Sequence, residues 1–289
     1  MSQQEDKIGI AEAKKALSKS GYLLENRIEK ILIKNEYVVT SNFIYPDPYE
    51  DKSREIDLTA ISCKIFGPDN EDCVSLEPII ECINNDQPIA FFTKKPTFEN
   101  YYPFSELKIS GRPEKVNNEI LAQYLKMNEF HHYCQGDIAT QWCTFYRKKV
   151  PNTNKSEWAA WHYDDYHKTF QKLCFVIKYL IDDTKKRLEK AQKQRIDIHL
   201  YYPILITQNE IYSVIQDTSN INIIEKKHIK YLRTEYLSGE FCSNRIDVMT
   251  EDYFPTYLSI IEDEFQKTTE KIKKNYDKLK DELDVKIIS

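Results

Sequence analysis

The sequence lacks the features that mark several common classes of protein. No apolar run approaches the roughly 20 residues of a membrane-spanning helix, and the opening "MSQQEDKIGI" has neither the basic nor the apolar segment of a secretory signal. A net charge of −5 over 289 residues argues against a protein that coats nucleic acid with its whole surface. We therefore expect a cytoplasmic protein with no membrane segment, in which any contact with nucleic acid is local.

Motifs for several kinds of site are also missing. None of the seven cysteines stands in a Cys-x-x-Cys pair, which argues against a disulfide framework and against a zinc ribbon. The six glycines form no phosphate-binding loop, and no serine or cysteine nucleophile motif is present. The basic stretches "TKKP" and "YRKKVPNTNK" are interpreted as solvated surface, with a local nucleic-acid contact as the alternative.

The pattern of apolar residues predicts a mixed α/β protein. A stripe at Leu24, Ile28, Ile31 and Leu32 indicates an amphipathic helix, after which alternation with a period of two indicates strands in "EYVVTSNFIYPD", "REIDLTAISCKIF", "LEPIIECI" and "QPIAFFT". We expect a central mixed β-sheet flanked by helices, in a single domain over residues 1–262.

The second half of the chain has one dominant element, a predicted helix over residues 164–194 that Asp164 or Asp165 caps. Residues 94–117 should be irregular, with a helix in "NEILAQYLKMNEF". "IDIHLYYPILIT" and "EIYSVIQ" are expected to form a hairpin, and "FCSNRIDVMT" a further strand. "IATQWCTFYRKK" fits either a strand or a helix.

Residues 263–289 form a charged C-terminal helix in this interpretation. Apolar side chains recur there at heptad-like spacing, at Phe265, Ile272, Tyr276, Leu279 and Leu283. We expect that face to pack against the body of the protein, with a short oligomerising coil as the alternative.

Two acidic residues stand out because they interrupt apolar strands. Asp57 lies in "EIDLTAI" and Glu81 in "PIIECI", where an ionised side chain is costly to bury without a counter-ion. Magnesium binds oxygen ligands and keeps several waters, so two carboxylates and one carbonyl oxygen are enough to hold it against a phosphate. Glu25 on the first helix, or Glu29 one turn later, could supply a third carboxylate. The alternative is that these residues are solvated strand and helix positions.

The ordered set "SGYLLENRIEKIL", "REIDLTA" and "IIECINNDQPIAFF" resembles the PD-(D/E)xK nuclease superfamily, which has the restriction-endonuclease-like fold. The resemblance covers residues 18–95 well and the rest loosely. It implies hydrolysis of DNA, in preference to RNA, that depends on Mg²⁺ or Mn²⁺ and serves genome defence or DNA processing. Glu25, Asp57 and Glu81 match the family's acidic positions, and the metal ligands would be Asp57, Glu81 and the carbonyl of Cys82.

The departure from the family is at the lysine two residues after Glu81, because Ile83 occupies that position. An isoleucine cannot stabilise charge on a phosphate or on an attacking hydroxide. Lys94 or Lys95, at the end of the next predicted strand, could replace the missing lysine. Activity is therefore in doubt, and two alternatives stay open: a degenerate nuclease fold that binds nucleic acid or a partner protein, and an interaction protein whose resemblance is coincidental.

Two further segments contain residues that could form sites. "HHYC" at 131–134 with Cys143 offers zinc ligands, but the spacing matches no common zinc module, so ordinary side chains are expected. "WAAWHYDDYH" at 158–167 could stack nucleic-acid bases, although an aromatic helix start that packs on the core is the preferred interpretation.

Overall fold

The computed structural model describes residues 7–284 except 19, 86, 97–107, 114–120, 122–123, 152, 154, 192–194, 219 and 238. The helices are α1 (Ile10–Ser18), α2 (Tyr22–Lys34), α3 (Asp164–Lys190), α4 (Phe254–Lys274) and α5 (Tyr276–Asp284). The strands are β1 (Val38–Pro46), β2 (Ser53–Phe66), β3 (Asp72–Ile83), β4 (Ile89–Lys94), β5 (Lys108–Arg112), β6 (Ile138–Lys149), β7 (Ser156–Trp161), β8 (Asp197–Thr207), β9 (Ile211–Gln216), β10 (Ile221–Lys226), β11 (His228–Leu237) and β12 (Glu240–Thr250).

All 12 strands in the described part of the chain join one mixed sheet. Its main path is β1-β2-β3-β8-β12-β11-β6-β4-β9-β10, while β5 pairs with β8 and β7 with β6. The pairs β3–β8, β8–β12, β6–β11 and β4–β9 are parallel, and the others are antiparallel. The expected fold class, a central mixed sheet flanked by helices with a helix at the C-terminal end, is confirmed.

The sheet separates two apolar cores. Alternate residues of β8 belong to different cores, Leu200 and Tyr202 to one and Tyr201 and Leu205 to the other, because successive side chains of a strand point to opposite faces. Helices α2, α4 and α5 cover the first face and α3 covers the second. Every residue of β8 is buried, as expected of a strand with helices on both faces.

Several predicted elements are confirmed in the structure. Helix α3 begins at Asp164 as expected, although both Asp164 and Asp165 lie in its first turn and the capping position belongs to Tyr163, which makes no side-chain cap. Residues 138–149 form a strand. Phe265, Ile272 and Leu279 are buried in the core, so the charged C-terminal segment packs against the body of the protein. The side chain of Leu283 lies outside the described residues, and the expected boundary at 262/263 falls within α4.

Other predictions were wrong. β8 and β9 do not form a hairpin, because β8 pairs with β3, β5 and β12, whereas β9 pairs with β4 and β10. Residues 108–112, expected to be irregular, form β5. Residues 156–161 form β7 rather than the start of a helix. The helix expected in "NEILAQYLKMNEF" is only partly present: Leu121 and Tyr124 are helical, residues 125–126 form a turn and Met127–Glu129 a 3₁₀ helix, while residues 118–120 and 122–123 lie outside the described residues. Among the helices that are described, none combines the length and apolarity needed to cross a membrane.

Candidate metal and phosphodiester site

The β2–β3 pair brings Asp57 and Glu81 together. The strands are antiparallel with Leu58 opposite Ile80, and continuing this register by one residue sets Asp57 opposite Glu81. The backbone amide of Cys82 donates a hydrogen bond of 2.7 Å to Oδ2 of Asp57. Glu81 shares its strand face with Ile79, which belongs to the core beneath α3. The predicted pair of strands therefore does bring the two predicted carboxylates to one place.

Glu81 is almost completely buried, with 3% of its surface exposed. Its Oε2 accepts a hydrogen bond of 2.7 Å from Nζ of Lys172, whereas its Oε1 has no hydrogen-bond partner among the described residues. Burial raises the pKa of Glu81 to about 8; the Asp57 carboxylate adds to this rise, and the Lys172 ammonium opposes it. A buried carboxylate oxygen without a donor is costly, because most buried polar atoms find a partner.

Lys172 is the residue that sequence reasoning missed. It lies on α3, beside Leu173 of the buried stripe, with its side chain 26% exposed. The carbonyl of Lys172 also accepts a hydrogen bond of 3.1 Å from the Tyr45 hydroxyl, which ties this turn of the helix to β1. A lysine ammonium thus reaches Glu81 from the helix that packs over the sheet, and not from β3 itself.

The lysines proposed from the sequence lie elsewhere. Lys94 ends β4 opposite Ile138 of β6, and both Lys94 and Lys95 are exposed. Within the described part of the chain, no contact joins either of them to Asp57 or Glu81. Ile83, at the position where the superfamily that the sequence resembles has a lysine, packs its side chain against the core beneath α3. The structure therefore brings Lys172, rather than Lys94 or Lys95, to the carboxylate pair.

Glu25 approaches the same site from the start of α2. A Cβ added at Gly21 would lie 3.2 Å from Oε1 of Glu25 and 3.7 Å from the carbonyl oxygen of Cys82. The absent side chain at Gly21 thus leaves a space that a carboxylate oxygen and a main-chain carbonyl oxygen both border. Glu29, the alternative, instead accepts a hydrogen bond of 2.9 Å from the Ser41 hydroxyl on β1.

The electrostatics of the site favour an added cation. Burial raises the pKa of Asp57, whereas the Cys82 amide and Lys172 oppose this rise. The pKa of Glu25 is raised by burial and by the Asp57 and Glu55 carboxylates. Three acidic groups thus share one ammonium, and like charges in a partly desolvated space repel one another. A divalent cation would relieve that repulsion.

A second polar cluster lies on the opposite face of the sheet. Asp247 on β12 is completely buried and accepts hydrogen bonds from His132, His228, Tyr133 and Tyr257, at 2.6 to 3.2 Å. His132 also lies 2.9 Å from Glu264 of α4. Burial alone would lower the pKa of His132, but Asp247 and Glu264 raise it to about 9. We call this cluster the Asp247 network.

Part of this network could be considered as a metal site. Ligand atoms of His131, His132 and Glu264 lie within 4.8 Å of one another, and no other described group of three His, Cys, Asp or Glu residues converges so tightly. The two imidazole rings are stacked, however, with an angle of 18° between their planes. Imidazole lone pairs lie in the ring plane, so nearly parallel rings do not direct both nitrogens at one ion. Cys143 lies apart, opposite Ala90 in the β4–β6 pair.

We compared the chain with known proteins in three ways. Protein-family models, curated proteins and solved structures all give no match. Function is therefore inferred from the residues of the site. The signal that could have identified Lys172 is slight: it is a lysine beside the buried stripe of a long helix, and 91 positions separate it from Glu81.

Proposed function

We propose that this protein is a metal-dependent nuclease that hydrolyses phosphodiester bonds, with DNA preferred to RNA as substrate. The observation that carries the proposal is the contact of Lys172 with Glu81, beside Asp57 and within reach of Glu25. This contact supplies, from α3, the ammonium that Ile83 cannot supply from β3. The resemblance of residues 18–95 to the PD-(D/E)xK superfamily supports the same conclusion.

The residues of the site suit a magnesium or manganese ion. Both ions prefer oxygen ligands, and the site offers the Asp57 carboxylate, the unpartnered Oε1 of Glu81 and the carbonyl oxygen of Cys82. When bound, such an ion would act as a Lewis acid towards a phosphoryl oxygen. Burial and the Asp57 carboxylate raise the pKa of Glu81 more than the Lys172 ammonium lowers it, so an added cation would stabilise the ionised carboxylate.

Lys172 and Glu25 would act on the phosphate and on the attacking water, respectively. The Lys172 ammonium, partly open to solvent, would donate hydrogen bonds to a phosphate oxygen and stabilise the negative charge that develops there. Glu25, at the edge of the site, would orient the attacking water by accepting one of its protons in a hydrogen bond. Asp57 and Glu81 hold fixed positions in the site because both belong to paired strands of the sheet.

The test is cleavage of labelled single-stranded DNA, duplex DNA and RNA in Mg²⁺ or Mn²⁺. We expect Asp57→Asn and Glu81→Gln to abolish cleavage, and Lys172→Ala to slow it by about 100- to 1,000-fold, as expected for loss of one charge-stabilising donor. The matched control is Lys178→Ala, because Lys178 also lies on α3 and pairs with a carboxylate, Asp182, at 2.9 Å. It should cleave like the wild type.

A second-site variant tests the role of Lys172 directly. Ile83 lies on the Glu81 face of β3, so Ile83→Lys in the Lys172→Ala background returns an ammonium to the site from the family position. We expect part of the lost cleavage rate to return. No gain in a double variant that binds Mg²⁺ and unfolds cooperatively would contradict the proposed role of Lys172.

A nuclease fold that binds without cleaving is the second candidate. Ile83 favours it, because the side chain that the resemblance requires at this position is absent. Absence of cleavage in both metals, together with binding of a nucleic acid or co-purification of a partner protein, would select this candidate over the nuclease.

A further inference from the structure

Strands β6 and β7 extend beyond the rest of the sheet as a two-stranded ribbon. β4 pairs with β6 only as far as Thr144, and from there to Lys149 the described partner of β6 is β7. β7 in turn pairs with β6 alone among the described strands. We call the described residues between 145 and 161 the β6–β7 arm.

The arm exposes aromatic rings where the sequence predicted a packed helix start. Trp158 is 53% exposed and Trp161 is 44% exposed. The two side chains lie on opposite faces of the ribbon, since they are three residues apart in a strand. Trp161 contacts Tyr146 and Tyr163, with ring centroids 4.9 Å and 5.6 Å apart, which fixes the orientation of the indole. Large exposed aromatic side chains on a protruding ribbon indicate a contact surface.

The charge of the arm is opposite to that of the whole chain. It carries four basic residues and one acidic residue, whereas the protein has a net charge of −5. The guanidinium of Arg147 lies 4.8 Å from the centre of the Trp158 ring, and Lys149 shares that face by strand alternation. Glu157 stands opposite Lys148 in the ladder and offsets one charge. Basic side chains interleaved with exposed indoles complement phosphates and bases.

The arm leads directly into the helix that carries Lys172. Only two residues separate Trp161 from the start of α3 at Asp164, and Lys172 lies eight residues further on. At 1.5 Å per residue this is about 12 Å along the helix axis. At the duplex spacing of about 3.4 Å per phosphate, the distance from the start of α3 to Lys172 corresponds to about three or four nucleotides, and an extended single strand covers it with fewer.

We propose that the β6–β7 arm binds unpaired nucleotides of a nucleic-acid strand, with bases stacked on Trp158 and phosphates on Arg147 and Lys149 of one face, and with the strand crossing the outer edge of β7 to stack a further base on Trp161. Unpaired bases are the fitting ligand because duplex bases expose edges, whereas an indole stacks on a base face. This inference rests on the proposed function, because it specifies that the nucleic acid bound beside the proposed nuclease site is unpaired where it contacts the arm.

The test measures binding without metal, so that cleavage cannot intervene. Fluorescein-labelled 15-nucleotide oligothymidylate, oligouridylate and a 15-base-pair duplex are titrated in EDTA and followed by fluorescence anisotropy. We expect the single strands to bind more tightly than the duplex, and Trp158→Ala and Trp161→Ala each to weaken binding by about tenfold, as expected when one base no longer stacks. The matched control is Phe241→Ala, which removes an aromatic side chain that is 79% exposed and lies on β12. It should bind like the wild type.

The basic residues give a separate readout. Replacing Arg147 and Lys149 by glutamine should reduce the slope of log affinity against log salt concentration by about 0.7 for each phosphate that the protein no longer neutralises. Affinities of the tryptophan variants within twofold of the wild type, duplex binding as tight as single-strand binding, or equal competition by polyglutamate would each overturn the proposal.

The outcomes separate the two proposals. If the tryptophan variants weaken binding and the wild type cleaves nothing, the nuclease proposal fails and the arm proposal stands. If the wild type cleaves nucleic acid and the tryptophan variants bind and cleave equally well, only the arm proposal fails.

Discussion

The two faces of the sheet each bury acidic residues, but in opposite electrostatic conditions. Beneath α3, Glu81 has one oxygen without a donor among the described residues, and burial raises its pKa to about 8. On the other face, Asp247 accepts hydrogen bonds from two histidines and two tyrosines, and although burial alone would raise its pKa, the histidines hold it well below the usual range. Four hydrogen-bond donors thus offset the cost of burying the Asp247 carboxylate, whereas Lys172 alone offsets only part of that cost at Glu81.

A structural cluster and a candidate site can be distinguished by whether their buried charges are satisfied. A satisfied buried network stabilises one arrangement of the chain and has no need of a ligand. Glu81 differs, because it is a buried carboxylate with a raised pKa, an oxygen that has no partner among the described residues, and a partly exposed lysine beside it. An added cation would stabilise such a group, and perturbed groups of this kind are typical of functional sites. The histidine cluster, which offers more conventional metal ligands, is by this criterion the structural one.

The largest expected effect is on stability at the Asp247 network. Asp247→Ala should lower the free energy of unfolding by about 3–5 kcal/mol, because it leaves the His132 cation without one of its two carboxylates in a buried place. Glu81→Gln should leave stability unchanged or raise it. Urea denaturation at pH 7 measures both. Asp263→Ala, which removes an exposed partner of Lys267, is the control and should cost less than about 1 kcal/mol. Equal losses at Asp247 and Glu81 would remove the contrast between the faces.

The next largest expected effect is a dependence of the free energy of unfolding on pH that arises from Glu81. Its pKa is about 8 in the folded protein against an ordinary value of 4.5, so between these values the folded state holds a proton that the unfolded chain has released. The free energy of unfolding should therefore fall as pH rises from about 5 to about 8, by linkage. Urea denaturation of wild type and Glu81→Gln at several pH values checks this.

The comparison with Glu81→Gln isolates that residue. His132 also loses its stabilising proton as pH rises towards about 9, but it does so in both proteins, so its contribution cancels in the difference. A difference between wild type and Glu81→Gln that stays constant from pH 5 to pH 8 would show that the carboxyl group of Glu81 is not held protonated.

The smallest expected effect is stabilisation by magnesium. At pH 8 and a free Mg²⁺ concentration about tenfold above Kd, binding to the folded state alone adds about 1.4 kcal/mol to the free energy of unfolding. Asp57→Asn and Glu81→Gln should lose this gain, whereas Asp263→Ala should retain it, as measured by thermal denaturation against KCl of matched ionic strength. The same gain in Glu81→Gln would place the ion elsewhere.

Local patterns predicted the elements well where the periodicity was long or regular. The apolar stripe of α3 runs from Leu173 to Leu188 and predicted the helix, while the aspartates at 164 and 165 predicted where it begins. β8 was predicted as a strand, but its partners were not, because a uniformly apolar strand fits any position in the middle of a sheet. Residues 221–237, in which no strand was predicted, form β10 and β11, and all six residues of β10 are exposed although three of them are isoleucines.

That Asp57 and Glu81 lie in neighbouring apolar strands follows from the sequence, since period-two alternation and a short connection suffice to pair the strands. Which lysine contacts these carboxylates and which tryptophans stay exposed depends on the tertiary structure. Lys172 reaches Glu81 because α3 packs across the sheet, and Trp158 and Trp161 are exposed because β6 and β7 extend past their neighbours. Both facts depend on how distant segments pack, and distant packing leaves no periodic trace in the chain.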